Sequence, residues 1–212
     1  MEKLIGRNLN ISVFISGRGS NLLSLIKYSK NKNSKIKINL IISNNKFSKG
    51  LEFAKKNKIK YHVINYSEKN KAELKILEYL RKNKIDLICL AGFMKILSSS
   101  FIKKFKNPIL NIHPSLLPKY KGLNTQRRAI KNKDKFSGAT VHFVTSKLDS
   151  GKIILQKKVK ISKIDTENTL AKKVLKIEHK LYPAAIEKIL KKVYSLKKKS
   201  NSILAFSGLS DP

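Results

Sequence analysis

The chain has 212 residues, 41% of them hydrophobic, and its 47 Lys and Arg against 13 Asp and Glu give a formal net charge of +34. That length supports one large domain with a sizeable core, while a single cysteine excludes an internal disulfide framework and a cysteine-based zinc site. No apolar run approaches the roughly 20 residues needed to cross a bilayer, and Met1 to Asn10 lacks the apolar core of a secretion signal. A soluble, cytoplasmic protein with no membrane partner is expected.

The first element is Asn10 to Ser16, a β-branched apolar run that reads as a buried strand. Gly17-Arg18-Gly19-Ser20-Asn21 follows at once and leads into a helical pattern at Leu22, Leu23, Leu25 and Ile26. The rhythm then repeats. Strands are expected over 37–43, 61–64, 86–91 and 108–112, and helices over 47–57, 69–83 and 98–105. Near-continuous apolar strands alternating with helices predict a parallel sheet covered on both faces.

After residue 113 the pattern changes. A loop bearing Pro and Gly runs from Pro114 to Gly122, and a helix is expected over 125–131. Two strands, 138–144 and 153–159, are close enough to pair antiparallel. A long helix over 166–193 follows, with Asp165 or Thr166 as its cap and Pro183 as a kink or restart point. There is no internal repeat and no linker. The expected organisation is one α/β domain over residues 1–200, mostly parallel and Rossmann-like, with antiparallel strands near its C-terminal part. A weakly ordered tail is expected over 201–212.

The charge invites a nucleic-acid reading. Only Arg7, Arg18, Arg81, Arg127 and Arg128 are arginine, however, and the lysines are dispersed along the chain. Proteins that read bases lean on the arginine fork. A lysine-coated enzyme surface with no specific nucleic-acid partner is therefore the preferred reading, and a non-catalytic basic binding protein is the distant rival.

Three motifs carry chemistry. The turn at 17–21 joins a strand to a helix start, where free amides attract phosphate; with Leu22 in place of a third glycine it is not the dinucleotide fingerprint. Asn111-Ile112-His113-Pro114-Ser115 ends a predicted strand, and alternation puts Asn111 and His113 on one face. An amide there can donate to a developing oxyanion while an imidazole handles a proton. Asp149, in Leu148-Asp149-Ser150-Gly151, is an ordinary turn residue unless the fold brings it to His113, where its carboxylate would favour the imidazolium. His62 and His142 sit on apolar strands and read as core or rim residues. No metal-ligand cluster is expected.

These segments, together with Ala91 to Leu97, Asn111 to Pro118, Val141 to Val144 and Glu178-His179-Lys180-Leu181-Tyr182-Pro183, resemble the folate-dependent phosphoribosylglycinamide formyltransferases over about residues 10–193. The resemblance implies the formyltransferase fold and transfer of a formyl group from 10-formyltetrahydrofolate to the amine of 5'-phosphoribosylglycinamide. It implies that Asn111, His113 and Asp149 are catalytic, and that Gly19, Ser20, Asn21 and Glu178 hold the ribonucleotide. It assigns Lys69, Met94, Lys95, Ile96, Leu97 and Asn111 to the folate. Small-molecule substrates and a monomer or weak homodimer are expected. Arg18, Lys95, Asn124 and Gln126 depart from the common pattern. The nearer rival is a methionyl-tRNA formyltransferase, which shares the Asn-x-His-Pro-Ser segment but carries a further C-terminal β domain.

Overall fold

The computed structural model describes the backbone of residues 8–207 and the side chains of residues 8–191. The elements run β1 (Leu9–Ile15), α1 (Ser20–Ser29), β2 (Ile36–Ser43), α2 (Gly50–Lys56), β3 (Tyr61–Val63), α3 (Lys69–Lys82) and β4 (Leu87–Leu90). They continue with α4 (Ser99–Phe105), β5 (Ile109–His113), α5 (Thr125–Lys131), β6 (Phe136–Phe143), β7 (Ile153–Lys160) and α6 (Glu167–Ser207). The seven strands form one sheet in the order β3-β2-β1-β4-β5-β6-β7. The first five strands in chain order pair in parallel. β6 and β7 add on antiparallel at the β5 edge.

The sheet alternates as its sequence predicts. Val13, Ile41, Cys89 and Leu110 face one core, with α1 and α6. Phe14, Leu40, Ile42, Ile88, Leu90 and Ile109 face the other, with α3 and α4. Burial pushes the Cys89 thiol up to about 12, so it stays a protonated core side chain. The strand order reverses between β1 and β4. In open α/β sheets the crevice for ligands lies there, beyond the carboxyl ends of the strands.

Helix α6 is longer than expected. Its backbone runs to Ser207, so residues 201–207 of the expected tail belong to the helix, while 208–212 lie outside the described residues. It is also continuous through Pro183. Proline has no N–H and leaves the carbonyl four residues earlier, that of His179, without its helical donor. Ser24 on α1 supplies the missing hydrogen: its Oγ donates to the His179 carbonyl at 2.5 Å. A second tie crosses to the sheet, where the buried Tyr182 hydroxyl lies 3.0 Å from the Leu90 carbonyl and 3.1 Å from that of Leu110.

Ser24→Ala leaves a carbonyl with no donor in a partly buried groove. It should lower unfolding stability by about 1–2 kcal/mol, against a few tenths for an exposed serine; urea titration of both proteins measures the difference.

Candidate functional site

The site grows from the carboxyl ends of β1, β4 and β5. After β1 the chain turns through Gly19, whose φ of +73° lies in the left-handed region. A Cβ at Gly19 would stand 2.5 Å from the Gly50 Cα, so the turn also needs glycine in order to pack against the start of α2. Ser16 ties this end of β1 to its neighbours. Its hydroxyl donates to Asn44 Oδ1 and accepts the Met94 amide at 2.8 Å, linking the segments that follow β1, β2 and β4.

The Gly turn opens helix α1 at Ser20, and Asn21 turns inward. Its Nδ2 donates to Glu178 Oε2 on α6 at 2.6 Å, while its Oδ1 is buried with no hydrogen-bond partner. Two residues 157 positions apart, both expected to hold the ribonucleotide, thus meet directly. Burial drives the Glu178 carboxyl up, and the Asn21 bond offsets it only in part, so it titrates at about 6 against an ordinary 4.5.

Asn111 and His113 lie on the sheet face that carries α3 and α4, in the part that loops cover. Asp149 reaches them from the loop between β6 and β7, with a left-handed φ of 45° that aspartate tolerates. Its Oδ2 lies 3.4 Å from His113 Nδ1 and accepts the Gly122 amide at 2.9 Å. Its Oδ1 lies 3.4 Å from Asn111 Nδ2. The expected trio is therefore assembled. Burial alone would raise the Asp149 carboxyl, but hydrogen bonding from His142 and Gly122, with the charges of His113 and His142, holds it below its ordinary value.

His113 Nε2 faces the Tyr120 carbonyl at 2.8 Å. A carbonyl only accepts, so Nε2 carries a hydrogen. The other ring nitrogen, Nδ1, faces the Asp149 carboxylate. Asn111 Nδ2 donates at long range to Asp149 Oδ1, 3.4 Å away, and lies 3.3 Å from His142 Nε2. An oxyanion that comes closer can take one of its hydrogens.

His142 belongs to this site, which its strand position alone did not reveal. It is the cross-strand partner of Asn111 and is 2% exposed. Nδ1 donates to the Phe143 carbonyl at 2.8 Å, and Nε2 lies 3.6 Å from Asp149 Oδ1. Only the antiparallel pairing of β6 with β5 shows it, since side chains opposite one another share a face.

Apart from Asn111 on β5, the residues expected to bind folate follow β4 or open α3. Met94 and Ile96 are 65% and 62% exposed, while Leu97 is buried against the α3–α4 core. Lys95 is exposed, and so is Lys69, the first residue of α3. Exposed Leu123 and Leu148 add apolar surface on the two loops that reach Asp149. Among the described residues no cluster of three or more His, Cys, Asp or Glu side chains could hold a metal ion, and no helix is long and apolar enough to cross a membrane.

The seven-stranded sheet thus carries an Asn-x-His strand end with a buried carboxylate folded onto it. The chain matches the formyl transferase family over residues 9–186 and belongs to that family. It is similar to a phosphoribosylglycinamide formyltransferase of Escherichia coli, 41% identical over 181 residues that make up 84% of this chain and 85% of that protein. The human trifunctional purine biosynthetic protein adenosine-3 is 42% identical over 85% of this chain, which spans only 18% of that longer protein. The crystal structure of phosphoribosylglycinamide formyltransferase from Anaplasma phagocytophilum shares 40% identity with a TM-score of 0.82, covering 88% of each chain. The enzyme of that name from Brucella melitensis gives the same identity and TM-score over 86% of this chain and 96% of its own.

The Glu178 carboxyl is a liability to the fold at neutral pH. Its raised value means that the neutral form is preferred in the folded state, so its contribution to stability is complete below about 4.5 and is lost as pH rises through about 6. Glu178→Gln should therefore be more stable than wild type at pH 8, by about 1–2 kcal/mol, with the gap closing towards pH 5. Melting curves across that range measure it.

Proposed function

We propose that the chain transfers the formyl group of 10-formyltetrahydrofolate to the amine of 5'-phosphoribosylglycinamide, giving formylglycinamide ribonucleotide and tetrahydrofolate in purine synthesis. The observation that carries this reading is the buried Asp149 carboxylate, shared by His113 and Asn111 at the end of β5, within a chain that matches the formyl transferase family over residues 9–186.

The substrate amine attacks the formyl carbon. A carbon–nitrogen bond forms, and the carbonyl electron pair moves to oxygen. Asn111 Nδ2 and the His113 imidazolium stabilise that oxyanion. Asp149 keeps the imidazolium paired and orients a water that carries a proton from the attacking amine to N10 of the folate. The intermediate then collapses, the bond from carbon to N10 breaks, and tetrahydrofolate leaves. Gly19 and Ser20 present amides at the start of α1 to the phosphate, and Glu178, aimed by Asn21, accepts the ribose hydroxyls. Met94 to Leu97 offer backbone groups to the pterin, and Lys69 balances the anionic end of the folate. The enzyme works on small molecules in the cytoplasm, and its dispersed lysines give only salt-sensitive, sequence-independent attraction for nucleic acid.

The deciding experiment is a formyl-transfer assay with glycinamide ribonucleotide and methionyl-tRNA as parallel acceptors. Turnover with the first and none with the second is expected; the reverse overturns the reading. Asp149→Asn tests the chemistry. Asparagine tolerates the left-handed turn and can still accept the Gly122 amide, so the protein should fold. Turnover should fall about 100-fold or more while the KM values move far less, because the lost charge matters most where the oxyanion forms.

A further inference from the structure

We propose that Tyr120 is the positioning residue of the catalytic histidine, and that the grip of Asp134 and Asn132 on its hydroxyl sets the direction of the His113 ring. This inference rests on the formyl-transfer reading and extends it to residues that touch neither substrate nor reacting atom.

The ring of His113 has two nitrogens on different edges. One is anchored on the Tyr120 carbonyl at 2.8 Å, and the other lies 3.4 Å from Asp149 Oδ2. Where that carbonyl sits therefore decides whether Nδ1 meets the carboxylate. The carbonyl belongs to a residue with a φ of 57°, a conformation that tyrosine holds only where its surroundings enforce it.

The surroundings are specific. The Tyr120 hydroxyl donates to Asp134 Oδ2 at 2.8 Å and accepts from Asn132 Nδ2 at 2.9 Å, so its one hydrogen and a lone pair are both used. The Arg128 guanidinium lies 4.9 Å from the centre of the Tyr120 ring, and its Nη1 donates to the Lys121 carbonyl at 2.7 Å. Lys119 Nζ pairs with Asp134 Oδ1 at 3.2 Å. Arg128 lies on α5, Asn132 directly after it and Asp134 two residues further on, ahead of β6.

The same short segment reaches the carboxylate from the other side. The Gly122 amide donates to Asp149 Oδ2, and Lys121 Nζ donates to Ser150 Oγ at 2.6 Å. Residues 119–122 thus form a strap pinned at the end of α5, with the histidine's anchor and the carboxylate's anchor two residues apart. A loosened pin displaces both at once. Misplacement of a catalytic group by an ångström is enough to cost rate without costing binding.

The test uses the full chain. Tyr120→Phe removes the hydroxyl and keeps the ring under Arg128. We expect kcat to fall about 10-fold, the range seen when groups that orient a ligating or catalytic residue are lost. Both KM values should stay within about twofold, and the nitrogen NMR resonances of the His113 ring should shift as Nε2 loses its fixed acceptor. Asp134→Ala should reproduce both effects, and Asp134→Asn, which retains an acceptor oxygen, should restore most of the rate. An unchanged kcat with unchanged His113 resonances in folded Tyr120→Phe overturns the proposal. So does a loss of rate that merely follows the unfolded fraction in a melt. Wild-type turnover with glycinamide ribonucleotide is measured alongside. Its absence would remove the functional reading, and the His113 resonances would still decide whether Tyr120 directs the ring.

Discussion

A carboxylate whose side chain is only 7% exposed has to be compensated by its neighbours. At Asp149 the compensation draws on groups far apart in sequence: the Asn111 amide, the imidazoles of His113 and His142, and the Gly122 backbone. The antiparallel addition of β6 to the β5 edge supplies His142, and the strap after Pro114 supplies Gly122. The sheet, the loops and the proton chemistry therefore depend on one buried negative charge that only this topology can pair. The parallel half of the sheet provides the complementary half of the site, where the Gly turn and the segment after β4 are joined through Ser16.

Acid residues are scarce in this chain, 13 against 47 bases, and those that are wholly or partly buried have specific partners. Asp134 holds Tyr120 and Lys119, Glu73 accepts from the Ser98 amide and hydroxyl, and Glu187 accepts from Tyr28. Asp165 holds Ser162, Thr169 and Lys173 around the start of α6. The lysines with described side chains, by contrast, are mostly solvated and sit on the helices, the loops and strands β2 and β7 rather than on the five strands β1, β3, β4, β5 and β6. The positive charge is thus a surface property, and the internal electrostatics rest on a handful of carboxylates with defined bonds.

Much of this was legible in the sequence because it is local. The alternation of β1, β2, β4 and β5 with helices follows from apolar periodicity, and the Asn-x-His spacing places two side chains on one face without reference to anything else. What stayed hidden depends on contacts between distant segments. Asp149 looks like a turn residue until β6 pairs with β5. His142 looks like a core residue until the register sets it opposite Asn111. Asn21 reads as part of a phosphate turn, yet its amide nitrogen is committed to Glu178. The length of α6 was underestimated because a proline and a lysine-rich run carry little apolar pattern, whereas the helix backbone continues through both.

The proline in α6 has a consequence for how the molecule keeps its registry. A long helix presents much the same groove at each turn, so a partner sliding along it by 5.4 Å meets a similar surface. Pro183 breaks that equivalence by freeing a single carbonyl, and Ser24 on α1 is placed to fill it. Ser24 lies three residues after Asn21, on the same side of α1, and His179 follows Glu178 directly. A slip of one turn would leave the hydroxyl facing a carbonyl already taken and would pull Asn21 off its acid. The missing hydrogen bond therefore works as a keyway: it admits α1 at one axial position, and the Asn21–Glu178 pair inherits that alignment.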